Sequence, residues 1–148
     1  MRGGIFVMMI HEILEKAAAA KSNKEKIAIL QEHNCLELRD ILRGGMDNSI
    51  EFLLPPDGAP YLPSEDPKPI KDITKNFKYF IKGGPGEQLP RARVELMFLD
   101  ILKQIHPKEA ELIVLMKDKG LIKNTGSAYY KGITKKLVQE AFPGLVRS

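Results

Sequence analysis

The chain has 148 residues, 43% hydrophobic and 28% charged, which fits one globular domain with a sizeable core and excludes a disordered tail. No apolar run approaches the roughly 20 residues that span a bilayer, and the single cysteine, Cys35, excludes an internal disulfide and suits a reducing cytoplasm. The net charge of +4 divides unevenly: residues 1–66 carry 7 Lys/Arg against 11 Asp/Glu, and residues 67–148 carry 16 against 8.

The opening "MRGGIFVMMI" is followed by no small-residue cleavage site, so it is not read as a signal peptide. Met8 and Met9 are alternative starts, and residues 1–8 are expected to be a non-native or disordered extension of a domain spanning 9–148. "IHEILEKAAAAK" puts Ile10, Ile13, Leu14 and Ala17 on one helical face. In "SNKEKIAILQEH" Ser22 and Glu25 form a capping-box signature for a second helix. "CLELRDILRGG" predicts a third, with Leu38, Ile41 and Leu42 inward and Gly44 and Gly45 as its stop. "MDNSIEFLLPP" reads as a short helical or extended piece.

Residues 55–69, "PPDGAPYLPSEDPKP", are too rich in proline for helix or ladder and are expected to be an ordered loop between two helical lobes. Helical spacing resumes at Ile70, Ile73, Phe77 and Phe80, and "GGPGEQLP" is a loop. Val94, Met97, Phe98, Ile101, Leu102 and Ile105 mark a buried stripe. Pro107 opens the next helix, "PKEAELIVLMKDK", which is apolar over a broad face and expected to be central, with Gly120 as its stop. After the loop "LIKNTGSAYYKG", the stretch "ITKKLVQEAF" forms the last helix. Strand alternation is nearly absent. The fold class is therefore all-α, a compact bundle of about six to seven helices.

Chemistry is sparse. His33 and Cys35 lack further ligands at metal-binding spacing, and His11 and His106 stand apart, so no metal site or cofactor is expected. No Gly-x-Ser-x-Gly is present. Glu109 and Glu111 read as surface residues two apart on a helix. "GGPGEQ" lacks the Lys-Ser/Thr of a phosphate-cradling loop. No catalytic residue is assigned, and the chain is not expected to be an enzyme.

The basic half is more informative. Lys117 and Lys119 close one helix, where cations suit the dipole. Lys135 and Lys136 open another, where they oppose it, at a local cost of a few tenths of a kcal/mol. A bound anion would resolve that conflict by meeting the two ammoniums, the Thr134 hydroxyl and the N–H groups after Gly132. Gly132 would let a backbone approach. The competing reading is a solvated lysine surface screened by Glu140.

"EILEKAAAAKSNKEKIAILQEHNCLELRDILRGGMDNSIEFLLP", "VELMFLDILKQIHPKEAELIVLMKDKGL" and "KGITKKLVQEAFPGLV" resemble, in order, segments of the N-terminal DNA-binding domain of ATP-dependent DNA ligases of T-even phages. They are also similar to small proteins of tailed phages, cyanophages included. The resemblance covers most of residues 9–146; the Pro-rich stretch and the long loop before Gly132 depart from it. It implies an α-helical domain that grips duplex DNA, nicked duplex included, through its backbone without reading sequence. The implied DNA-binding residues are Ser22, Lys24, Lys117, Lys119, Lys123, Lys131, Gly132, Thr134, Lys135 and Lys136.

Ligase adenylation needs Lys-x-Asp-Gly, whereas "KDKG" at 117–120 has Lys119 in place of the aspartate, so nick sealing is not expected. The expectation is a non-enzymatic phage accessory protein of DNA replication, repair or recombination in the cytoplasm of the infected bacterium, with no membrane partner. The alternative is an interaction module for a host or phage replication or transcription enzyme. Its surfaces would be the acidic first half (Glu32, Glu37, Asp40, Asp47, Glu51) and the Pro-rich loop with Tyr61.

Overall fold

The computed structural model describes residues 8–64, 66–68 and 74–147. Among these residues six α-helices follow one another: α1 (Ile10–Ala19), α2 (Asn23–Glu32), α3 (Leu36–Met46), α4 (Arg91–Leu102), α5 (Pro107–Lys117) and α6 (Lys135–Ala141). Short 3-10 helices occupy Thr74–Phe80 and Pro85–Gln88. Among the described residues only isolated β-bridges occur, such as Phe52 with Ile81, and no helix is long and apolar enough to cross a membrane. The chain is all-α, as its periodicity predicts.

One core serves both sides of the Pro-rich stretch. It takes Ile13 and Leu14 from α1, Ile41 and Leu42 from α3, Val94 and Phe98 from α4, Leu112 and Ile113 from α5, and Leu137 and Val138 from α6. The expected helical pattern across 70–81 lies partly outside the described residues. From Thr74 onward it is 3-10 rather than α. Residues three apart eclipse in that geometry, and it brings Phe77 and Phe80 into the core together. Phe80 meets the Phe98 ring edge-on at 5.3 Å.

The ends of these helices are satisfied from a distance. At the start of α1, the Glu109 carboxylate accepts from the Ile10 N–H and the His11 N–H, both at 2.8 Å, and from His11 Nδ1 at 2.7 Å. Glu109 is 2% exposed, so the expectation of a surface carboxylate is corrected. It is the third residue of α5, where a negative charge also suits that helix's own dipole. At the other end of α1, the Lys26 ammonium donates to the carbonyls of Ala17, Ala18 and Ala20, three donors meeting three acceptors. The "AAAA" run supplies no polar cap of its own. At the end of α3, Lys119 Nζ donates to the Gly44 and Asp47 carbonyls.

Two expected helix stops belong elsewhere. Gly44 and Gly45 lie inside α3, which continues to Met46. They are glycines because a Cβ on Gly45 would stand 2.3 Å from Leu121 Cδ1, and one on Gly44 would stand 2.9 Å from Met116 Sδ. They let α3 press against α5 and the chain that follows it. After α5 the left-handed residue is Lys119, at φ +58°, and not Gly120. The Lys119 N–H reaches the Met116 carbonyl and the Gly120 N–H the Leu115 carbonyl, a Schellman closure. A left-handed lysine costs roughly 1–2 kcal/mol, and the bonds of its ammonium to the end of α3 offset that cost.

Three outcomes test this architecture. On helix propensity Gly45→Ala would gain about 1 kcal/mol, but the collision with buried Leu121 should reverse the sign and cost about 1–3 kcal/mol in chemical denaturation. Glu109→Ala leaves two helical N–H groups and His11 unpaired and should cost about 3 kcal/mol, with Glu109→Gln losing less. Burial pushes the Asp47 carboxyl up, but hydrogen bonds from Ser49 and the Arg147 N–H outweigh it, so its pKa falls below the ordinary 3.8. Its contribution is therefore complete above about pH 5 and is lost as pH falls from 3.8 through the lower folded value. Asp47→Asn should flatten that acid limb of the stability profile.

Candidate nucleic-acid interface

Two cross-contacts fix how α6 lies on α2. Near their starts, Gly132 sits so close to Lys26 that a Cβ there would be 2.8 Å from Lys26 Cε. Near their ends, Gln31 Nε2 donates to the Ala141 carbonyl at 3.0 Å. The two helices therefore run parallel, and their N-termini open at the same end of the molecule. Ser22 caps α2 by accepting from the Glu25 N–H at 3.1 Å. Thr134 caps α6 by accepting from the Leu137 N–H at 3.1 Å, and its own O–H remains able to donate. Buried Ile133 anchors the intervening loop in the core.

Seven of the residues singled out from the sequence thus lie at the starts of these two helices, at one end of the bundle: Ser22 and Lys24 at α2, and Lys131, Gly132, Thr134, Lys135 and Lys136 at α6. Lys24, Lys131 and Lys136 are exposed and Lys135 is half-buried. None of the four makes a salt bridge among the described residues. Glu25 shares this end, exposed in the first turn of α2. Gly132 adopts φ +77°, and what approaches it is the Lys26 stem, so its small size has an internal reason. Exposed Tyr129 stands edge-on to half-buried Tyr130 at 5.1 Å, just before Lys131. Burial raises the Tyr130 hydroxyl well above the ordinary phenol range, with Tyr129 and nearby carboxylates adding to it.

Lys117 and Lys119 do not join this group outwardly. The Lys117 ammonium is buried, donating to the Pro55 carbonyl at 2.7 Å and to the Asp118 carboxylate. Asp118 in turn accepts from the Gly58 N–H at 2.7 Å, so the end of α5 holds down the Pro-rich stretch. Lys119 closes α3. Burial lowers its pKa, with Asp47 opposing and the like charge of Lys135 adding to the drop, which places Lys135 within electrostatic reach of it. Lys123 is exposed on a separate turn, closed by the Ile122–Ala128 bridge.

Sequence reasoning missed Lys26 and Glu109 as structural charges. The available signal was α1 itself, whose alanine-rich end offers its carbonyls no local partner. Among the described residues no three His, Cys, Asp or Glu side chains gather as a metal-binding group. Half-buried Cys35 has its thiol pushed up in pKa, chiefly by burial. His106 Nδ1 accepts from the Lys108 N–H at 3.1 Å, and its ring stacks on His11 at 5.4 Å. Both histidines thus serve the junction of α1 and α5.

No curated protein matches the chain. A model for a family of unknown function, DUF6433, matches residues 13–123. That stretch runs from α1 through α5 and stops before the Lys131–Lys136 segment. The match covers well over half of the sequence, and the chain belongs to this family.

Proposed function

We propose that the protein is a non-enzymatic, sequence-independent binder of duplex DNA, nicked duplex included. It would serve as a phage accessory factor in replication, repair or recombination in the cytoplasm of the infected bacterium. The observation that carries this reading is the shared end of α2 and α6. Two helix N-termini face the same side, where their positive dipole ends favour an anion, yet Lys24, Lys131, Lys135 and Lys136 add cations with no salt-bridge partner among the described residues. A polyanion laid across that end relieves both repulsions at once. Lysines make point-charge contacts with phosphates and little base readout, which supports indifference to sequence. The likeness to the ligase DNA-binding domain points the same way. Lys117 and Lys119 drop out of the contact set, because their ammoniums already close internal carbonyls.

A second reading has its own observation. Pro60, Tyr61 and Leu62 face Leu96, Met97 and Leu99 of α4 across an open cleft of about 770 Å³, with Leu62 77% and Leu96 65% exposed. An interaction module for a replication or transcription enzyme would use this apolar surface.

Four external cations at about 0.9 per phosphate predict a slope near −3 to −4 for log affinity against log salt on labelled duplex. The Lys131→Ala/Lys135→Ala/Lys136→Ala variant should lose at least tenfold in affinity while keeping its denaturation midpoint, since these are surface positions. Affinity indifferent to salt, or unchanged in that variant, rejects the DNA reading. A partner captured from nuclease-treated extract and lost on Leu62→Ser/Leu96→Ser favours the second.

A further inference from the structure

A second concave site lies between α3 and the Phe77–Gly84 turn, with a volume of about 430 Å³, inside the roughly 300–1,000 Å³ range of small-molecule pockets. Its construction is specific. Residues 51–53 pair with 80–82: the Leu53 N–H donates to the Phe80 carbonyl at 2.7 Å and the Lys82 N–H to the Glu51 carbonyl at 2.8 Å. This pairing sets Phe52 beside Ile81. Gly44 has no side chain to block that ring, since a Cβ there would stand 3.1 Å from Phe52 Cζ.

Half-buried Phe52 gives the cleft an aromatic wall, core-buried Phe77 reaches only its floor, and Arg43, Lys78 and Lys82 line it with cations. The double glycine closes the rim. Gly84 presses against the Lys78 carbonyl, where a Cβ would come within 2.4 Å, so Lys78 and Lys82 are held on one tight turn. Gly83 sits at φ +90° in open space, and its N–H makes no hydrogen bond among the described residues. Two carboxylates are present. Asp40 lines the cleft, and Glu51 makes an exposed ion pair with Lys82 at 3.5 Å.

We infer that this cleft binds a nucleoside monophosphate unit: a planar base against Phe52, its phosphate held by Arg43, Lys78, Lys82 and the Gly83 N–H. Aromatic rings stack on any base, and guanidinium, ammonium and free backbone N–H groups are the ordinary phosphate donors. The Asp40 carboxylate is placed to accept from a sugar hydroxyl. This inference goes beyond the DNA surface and uses none of its residues. The unit can come free in solution or as an unpaired nucleotide of a strand, and the chemistry in the cleft is the same.

The test uses the full chain, uniformly ¹⁵N-labelled, titrated with AMP, adenosine, inorganic phosphate and a 5′-phosphorylated oligothymidylate. AMP should shift the Phe52, Gly83 and Gly84 amides and bind at least tenfold more tightly than adenosine or phosphate alone. Lys78→Ala/Lys82→Ala, and separately Arg43→Ala, should each weaken it about tenfold or more with unchanged thermal midpoints, because these side chains are exposed. The Lys131→Ala/Lys135→Ala/Lys136→Ala variant should bind AMP like the parent, which separates failure here from failure of the duplex reading. Tighter binding of the oligonucleotide assigns a strand as the source, and tighter binding of AMP assigns the free nucleotide. Equal affinity for phosphate and AMP, shifts confined to other amides, or no loss in the charge variants overturns the proposal.

Discussion

The constraint on which this structure depends is the burial of helix ends. Each helix leaves unpaired N–H groups at its start and carbonyls at its finish, and four of those ends are met here by side chains of other elements. An unmade hydrogen bond there costs about 1–3 kcal/mol, comparable to burying a whole apolar side chain. The chain meets this with charged or amide side chains sent from distant elements: Glu109 to the start of α1, Lys26 to its end, Lys119 to the end of α3, Gln31 to the end of α6. Each bond joins elements that the apolar core also joins, so the helices are held in direction as well as in contact.

That constraint decides which lysines are free to do anything else. A carbonyl at a helix end and a phosphate oxygen are both acceptors, and a lysine serves either. Sequence alone sets Lys117 and Lys119 at a helix end that suits a cation and Lys135 and Lys136 at one that opposes it, but it shows no internal acceptor for any of them. What separates them is geometry: Lys117 reaches the Pro55 carbonyl, sixty-two positions away in the chain, and Lys119 bends back through a left-handed backbone to Gly44 and Asp47. The external group on α2 and α6 remains after these are subtracted. It is smaller than a count of basic residues suggests, but concentrated at one end of the bundle.

What could be read in advance follows the range of the interaction responsible. The apolar periodicity of α1, α3, α4 and α5, the Ser22 cap and the proline at the start of α5 are local, and each lies where its pattern puts it. The resemblance implied Ser22, Lys24, Lys131, Gly132, Thr134, Lys135 and Lys136 as contacts, and what the fold adds is that α2 and α6 run parallel, which puts their starts at one end of the bundle. Glu109, Lys26 and the roles of Gly44 and Gly45 depend on partners 6 to 99 positions away or on packing across helices. No local pattern encodes those distances. The glycines misled in a particular way: a Gly-Gly pair after an apolar helix has the same spelling whether it stops the helix or admits a neighbour.

The same two glycines tie the nucleotide-sized cleft to the core. Gly45 brings α3 onto Leu121, and Gly44, one residue before it, leaves room for the Phe52 ring. Lys119 lies 5.3 Å above that ring while closing the end of α3, so its ammonium fixes the helix end and covers part of the aromatic wall together. The cleft is therefore no loose surface depression. Its back wall is set by the contacts that seat α3, whereas its cationic rim sits on exposed side chains of α3 and of a glycine-hinged turn. A wall shared with the core and a rim independent of it let ligand contacts change with little cost to folding, which is the arrangement expected of a binding surface built on a helical scaffold.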